Sequence, residues 1–145
     1  MKSKYFKIEE LVSKQVYEKY KEKCWEFINP RIINFLNQLR EDLGKPIIIN
    51  NWKSGGEFQQ RGLRTNKDPL VLNKTGLYCS QHCFGNAVDF NVKGMETKEV
   101  YDYIIKNYSN YKDYITRMEN INSAPTWIHV DCANTDKNEL TIFNA

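Results

Sequence analysis

The chain has 145 residues, of which 41% are hydrophobic, 27% charged and 13% aromatic, and its net charge is +3. This length predicts one globular domain over residues 1–145 that can bury a core without disulfides. The charge is too small to indicate a nucleic-acid-binding protein, and no apolar run approaches the roughly 20 residues that a membrane-spanning helix needs. We therefore expect a protein that neither binds nucleic acid nor inserts into a membrane, and we expect it to be a monomer.

Residues 1–7 are basic but precede no apolar stretch, so we expect no secretory leader and synthesis in the cytoplasm. The four cysteines are then expected to be reduced thiols. Only two histidines occur, His82 and His129. Any histidine chemistry must use one or both of them.

Two helices are predicted in the first third of the chain. Between Glu9 and Ile28, apolar residues recur at near-helical spacing and predict one amphipathic helix. Asn29 and Pro30 then suit the N-cap and the first position of a second helix, and Gly44 suits its C-terminal end.

A strand, a long loop and a second strand are predicted next. The β-branched run 47–49 indicates a buried strand, whereas residues 52–78 lose periodicity and predict a loop. Residues 87–92 alternate, which predicts a strand with Ala87, Asp89 and Asn91 on one face.

A third helix is predicted to start at a Thr97 cap, and three short strands are predicted over 114–119, 126–130 and 141–143. Helices therefore come first, followed by strands with one inserted helix. This order favours an α+β fold with a small, mainly antiparallel sheet over a doubly wound sheet.

His82, Asp89 and His129 are the residues that most strongly suggest chemistry. Two histidines and one carboxylate with an open fourth position are a set that holds catalytic zinc. Zinc in such a set polarises carbonyls and lowers the pKa of a bound water. An aspartate in an apolar strand also needs a cation or donors, because burying an unpaired carboxylate costs several kcal/mol.

Two alternatives remain open from the residues alone. Each histidine on its own is compatible with an ordinary core or surface position. Cys79 and Cys132, each three residues from a histidine, also allow a closed Cys2His2 structural zinc site. That site would leave Asp89 without a metal.

The motif S-x-H-x-x-G-x-A-x-D at positions 80–89, followed by W-x-H-x-D at 127–131, resembles zinc peptidases of the D-alanyl-D-alanine carboxypeptidase family. This family includes phage endolysins, and its fold relatives include the hedgehog domain. The resemblance runs from about the second helix to His129. Other matching segments are Asn50-Asn51-Trp52, Gly62-Leu63-Arg64, Arg117-Met118-Glu119 and Pro125-Thr126-Trp127.

The resemblance implies a hedgehog/DD-peptidase-like fold and a Zn2+ cofactor held by His82, Asp89 and His129. Ser80 would support the site by hydrogen bonding. Arg64, expected in an exposed loop, would stabilise an oxyanion or hold a substrate carboxylate, and Arg61 is its alternative.

The general base is where the chain departs from the best-known pattern of the family. Many members carry an acid three residues before the last histidine, where this chain has Thr126. Glu119 is the favoured replacement, because Arg117-x-Glu119 recurs in the branch that the chain resembles, and Asp131 is the alternative. Asp131 would otherwise orient His129.

The sequence therefore predicts a zinc metallopeptidase that cuts peptidoglycan peptides next to D-amino acids. Trp127 is among the aromatic residues expected to line the groove that binds the peptide. The bond would be D-Ala-D-Ala or L-Ala-D-Glu. We expect a phage or prophage lysin that acts at the bacterial cell wall. The alternative is a non-catalytic zinc-stabilised binding or virion structural protein of the same fold.

Overall fold

A computed structural model describes residues Met1–Ala145. Its helices are α1 (Lys14–Tyr20), α2 (Pro30–Leu43), α3 (Pro69–Leu72) and α4 (Thr97–Lys106). Its strands are β1 (Ile47–Ile48), β2 (Ala87–Val92), β3 (Arg117–Glu119), β4 (Ile128–Asp131) and β5 (Thr141–Phe143). Short 3₁₀ turns cover Ile8–Glu10, Lys21–Phe27, Trp52–Ser54, Gln81–Phe84 and Tyr108–Asn110.

The five strands form one sheet in the order β1-β2-β4-β3-β5. All neighbours are antiparallel except β3 and β5, which are parallel. The predicted α+β class with a mainly antiparallel sheet is confirmed.

Helix α2 follows the predicted capping signals. The side-chain oxygen of Asn29 accepts a hydrogen bond from Arg31 N at 2.9 Å, and Gly44 ends the helix with a φ of 62°. The apolar face of α2 packs on one side of the sheet, where Phe35 meets Phe90 with ring centroids 6.1 Å apart. The face of the sheet that carries Phe90 is therefore the inner face, which packs against α2.

Alternation along the strands separates the two faces of the sheet. Val88, Phe90 and Val130 are fully buried in the core on the inner face. Asp89 and His129, which occupy directly opposed positions of β2 and β4, therefore share the outer face. The candidate ligands are thus placed beside each other by strand register.

The predicted helix from Glu9 to Ile28 is wrong as a single element. The chain reverses at Lys21, which has a φ of 50°, and continues as a 3₁₀ turn over Lys21–Phe27. This reversal lets both α1 and the turn bury apolar side chains, and the Cys24 thiol lies 3.7 Å from the carbonyl oxygen of Val16. Packing therefore overrides the helical periodicity.

Other boundaries also differ from the predictions. Glu96, not Thr97, is the N-cap of α4, and its N–H donates to the Glu99 carboxylate at 2.9 Å. The long loop contains the single turn α3, and β3 is shorter than predicted. No helix combines the length and the apolar character needed to cross a membrane.

Candidate metal centre

Three separate elements bring His82, Asp89 and His129 together. His82 lies in the Gln81–Phe84 turn, whereas Asp89 and His129 lie on β2 and β4. The Ser80 hydroxyl accepts a hydrogen bond from His82 N at 3.3 Å and caps that turn, and Gly85 ends it with a φ of 69°. A side chain at Gly85 would overlap the Phe27 carbonyl, so this exit from the turn needs glycine.

The three candidate ligand atoms form a compact triangle. His82 Nε2 lies 3.2 Å from His129 Nδ1 and 3.3 Å from Asp89 Oδ1, and the last two atoms are 2.8 Å apart. Tetrahedral zinc with bonds of about 2.0–2.1 Å sets neighbouring ligand atoms about 3.3 Å apart. All three residues are buried. The group could therefore hold a metal ion.

Each histidine ring is oriented through its other nitrogen. His82 Nδ1 lies 2.8 Å from the Gly62 carbonyl oxygen, and His129 Nε2 lies 3.2 Å from Asp131 Oδ2. A carbonyl or a carboxylate can only accept, so these nitrogens donate. In the neutral rings the remaining nitrogens then carry lone pairs that face the centre of the triangle, as metal ligation requires.

The charges of the site are arranged around a cation. Burial by itself lowers the pKa of His129, but hydrogen bonds to Asp131 and Asp89 outweigh it and raise that pKa to about 9. Burial raises the pKa of Asp89, yet its hydrogen bonds to His129 and His82 hold that pKa well below its usual range. Without a metal, an imidazolium therefore supplies the positive charge between the two aspartates.

Arg64 is not the exposed loop residue that the sequence suggested. Only 13% of its side chain is exposed, and its Nη2 lies 2.9 Å from Asp89 Oδ2. Its Nε donates to the Gln60 carbonyl oxygen at 2.7 Å. Arg64 thus holds the carboxylate oxygen of Asp89 that does not face the histidines, and its Nη1 has no protein acceptor.

A cleft of about 380 Å³ opens onto the triangle, and Glu119 lies in its wall. Glu119 is 8% exposed and forms no hydrogen bond with the protein. Burial raises the pKa of its carboxyl group above the ordinary value. By register, Glu119 follows the Met118–Val130 pair and therefore lies opposite His129.

Asp131, the alternative base, is in a different environment. It has no exposed surface, and Arg117 grips it through Nε to Oδ1 at 2.8 Å and Nη2 to Oδ2 at 2.7 Å. Burial opposes ionisation, but hydrogen bonds to His129 and Arg117 outweigh it, so the pKa of Asp131 is lowered. A carboxylate held in this way is a weak base.

The other predicted residues lie around this cleft in distinct positions. Ser80 lines the cleft, but its hydroxyl caps the His82 turn. Trp127 lines both this cleft and a smaller neighbouring one, and Arg61 lines only the smaller one. The largest cavity, about 680 Å³, is mainly apolar and contains none of the three candidate ligands.

The Cys2His2 alternative is not formed. Cys79 is exposed, whereas the Cys132 thiol lies 3.6 Å from the Asn86 carbonyl oxygen, and neither belongs to the ligand group. Sequence reasoning missed the supporting roles of Arg117 and of the Gly62 carbonyl. Strand alternation could have placed Arg117 on the same face as Glu119, but a backbone carbonyl leaves no sequence signal.

Comparison with models of protein families, with curated proteins and with solved structures finds no match to this chain.

Proposed function

We propose that this chain is a zinc metallopeptidase. The observation that carries the proposal is the triangle of ligand atoms, with edges of 2.8–3.3 Å, beside an unpartnered buried carboxylate. Structural zinc sites are closed by four protein ligands, whereas catalytic sites keep one position open. His82, Asp89 and His129 would supply three ligands and leave such a position, and a cleft of about 380 Å³ opens onto these residues.

His82, Asp89 and His129 would hold the zinc. When bound, the zinc would polarise the substrate carbonyl and lower the pKa of a water molecule. Glu119 is the proposed general base, because its raised pKa and free oxygens allow it to take a proton from the attacking water and pass it to the leaving amine. Arg64 would stabilise the developing oxyanion through its free Nη1.

Peptidoglycan peptides are the proposed substrate, cut next to a D-amino acid at D-Ala-D-Ala or L-Ala-D-Glu. The support is the similarity of the 80–89 and 127–131 motifs to those of D-alanyl-D-alanine carboxypeptidases and phage endolysins. Membership of that family, a hedgehog/DD-peptidase-like fold and action as a phage or prophage lysin at the cell wall are part of this proposal. Trp127 would form one wall of the peptide groove.

The test combines metal analysis with digestion of purified peptidoglycan. We expect one zinc per chain by mass spectrometry of the metal and new muropeptide ends by liquid chromatography with mass detection. Chelator or His82→Ala should abolish both, whereas Asp136→Asn, at an exposed position outside the cleft, should change neither. Stoichiometric zinc without digestion of any peptidoglycan chemotype would instead support the non-catalytic zinc protein.

A further inference from the structure

A second cleft of about 260 Å³ adjoins the candidate metal centre. It shares Arg64, Asp89 and Trp127 with the metal cleft, so a molecule bound at the metal could extend into it. Its distinctive residue is Arg61, which is half-buried and lines this second cleft only.

The guanidinium of Arg61 is held rigidly by uncharged groups. Its central carbon lies 3.6 Å from the centroid of the Phe58 ring, and its Nη1 donates to Asn91 Oδ1 at 2.7 Å. Asn91 is itself fixed, because its Nδ2 donates to the Thr126 carbonyl oxygen at 2.7 Å. The Nε and Nη2 groups of Arg61 have no protein acceptor.

Arg61 also differs from the other arginines of this region in lacking a carboxylate partner. Arg64 pairs with Asp89, and Arg117 pairs with Asp131. Glu57 lines the same cleft as Arg61 but forms no ion pair with it. A partly desolvated guanidinium that is oriented but unpaired is suited to a planar anion, which it can bind through two parallel hydrogen bonds.

The backbone sets the position of this guanidinium relative to the metal ligands. The Arg61 carbonyl oxygen accepts a hydrogen bond from Asp89 N at 2.7 Å. Asn91, which holds the guanidinium, follows Asp89 by two residues on the same face of β2, a rise of about 7 Å. An anion bound by Arg61 therefore lies within about two residues of an extended peptide from the metal centre.

We propose that Arg61 binds a free α-carboxylate on the residue that supplies the leaving amine. The inference rests on the proposed peptidase function and states which group of the substrate Arg61 recognises. Both candidate bonds meet this requirement by their chemistry. The terminal D-Ala of a D-Ala-D-Ala end carries a free carboxylate, and a D-Glu linked through its γ-carboxyl keeps its α-carboxylate.

The test uses pairs of peptides that differ only in this group. One pair is L-Ala-γ-D-Glu-L-Lys and its isoglutamine analogue, and the other is a peptide ending in D-Ala-D-Ala and its C-terminal amide. For the pair that is cut, we expect kcat/KM to be about 10- to 100-fold higher for the peptide with the carboxylate, mainly because its KM is lower. A factor of this size corresponds to the binding free energy of one charge-assisted hydrogen bond.

Variants assign that preference to Arg61. Arg61→Gln should remove the preference, and Arg61→Lys should keep part of it, because a lysine retains the charge without the planar fork. Arg31→Gln, a control on α2 outside both clefts, should preserve it. Zinc content and melting temperature report folding, and if Arg61→Gln does not fold, Arg61→Lys still tests the geometry. Equal cleavage of both members of a pair by wild type, or a full preference in Arg61→Gln, would overturn the proposal.

Binding separates this inference from the peptidase function. Calorimetry on the zinc-loaded Glu119→Gln variant, with Arg61 intact or replaced by Gln, measures affinity for the same peptides when cleavage is slow. Tighter binding of the carboxylate peptide that depends on Arg61, with no cleavage by wild type, supports the subsite and rejects the peptidase. Cleavage without discrimination in rate or affinity supports the peptidase and rejects the subsite.

Discussion

Replacing Glu119 by glutamine tests the proposed mechanism most directly. Gln has nearly the same shape as Glu but cannot accept and pass on a proton. A positioned acid or base contributes about 100- to 10000-fold to rate, so we expect kcat to fall by that factor. Because Glu119 is not one of the three ligands, the zinc content should stay at one per chain.

The structure also predicts that this variant keeps its stability. Glu119 is 8% exposed and forms no hydrogen bond with the protein, so the nearly isosteric substitution breaks no internal hydrogen bond. A carboxyl group whose folded-state pKa is raised gives up stability as the pH rises through that pKa. The unfolding free energy of the variant should therefore equal or exceed that of wild type at neutral pH, within about 0.5 kcal/mol if other contacts are unchanged.

The assay compares muropeptide release, zinc content and urea denaturation for wild type, Glu119→Gln and the control Glu139→Gln. Glu139 is exposed and lies outside the metal cleft, so the same chemical change there should leave all three quantities unchanged. Digestion by Glu119→Gln at the wild-type rate would refute the role of Glu119 and move it to Asp131. Loss of zinc would show that Glu119 acts as a ligand.

Three further perturbations probe the surroundings of the site. In the metal-free protein, the unfolding free energy measured by denaturant titration should fall by up to about 3 kcal/mol between pH 6.5 and 9. The raised pKa of His129 contributes stability that is complete below pH 6.5 and is lost as the pH passes about 9. Zinc should abolish this pH dependence. Asp131→Asn should weaken zinc affinity about 10- to 100-fold in chelator competition. It should also lower the unfolding free energy by about 1–3 kcal/mol, because the substitution leaves Arg117 only one acceptor oxygen, and an unchanged zinc affinity would show that Asp131 does not orient His129. Gly62→Ala should lower the unfolding free energy by about 1–3 kcal/mol and weaken zinc binding, because the added methyl group would overlap the Leu11 carbonyl oxygen. Gly76→Ala, whose methyl group would meet no atom within 4 Å, is the matched control, and equal melting temperatures for the two variants would contradict the prediction.

Local signals in the sequence determined a substantial part of this protein. Asn29 and Gly44 fixed the two ends of α2, because a cap and a left-handed glycine act within a few residues. Alternation in β2 placed Asp89 on the face opposite to Val88 and Phe90. Because the chain has only two histidines, the sequence identified His82 and His129 as candidate metal ligands. Strand register in the structure brings His129 beside Asp89.

Only the tertiary structure decided which environment each charged residue meets. Glu119 and Asp131 are both acids near the second motif, yet the Glu119 carboxylate has no hydrogen-bond partner in the protein, whereas Asp131 accepts hydrogen bonds from Nε and Nη2 of Arg117. Likewise, Arg64 is paired with Asp89 whereas Arg61 forms no ion pair. Burial and ion pairing depend on residues far apart in the chain. Periodicity and spacing report only on neighbouring residues, so they could identify these side chains as candidates but could not show which of them are paired.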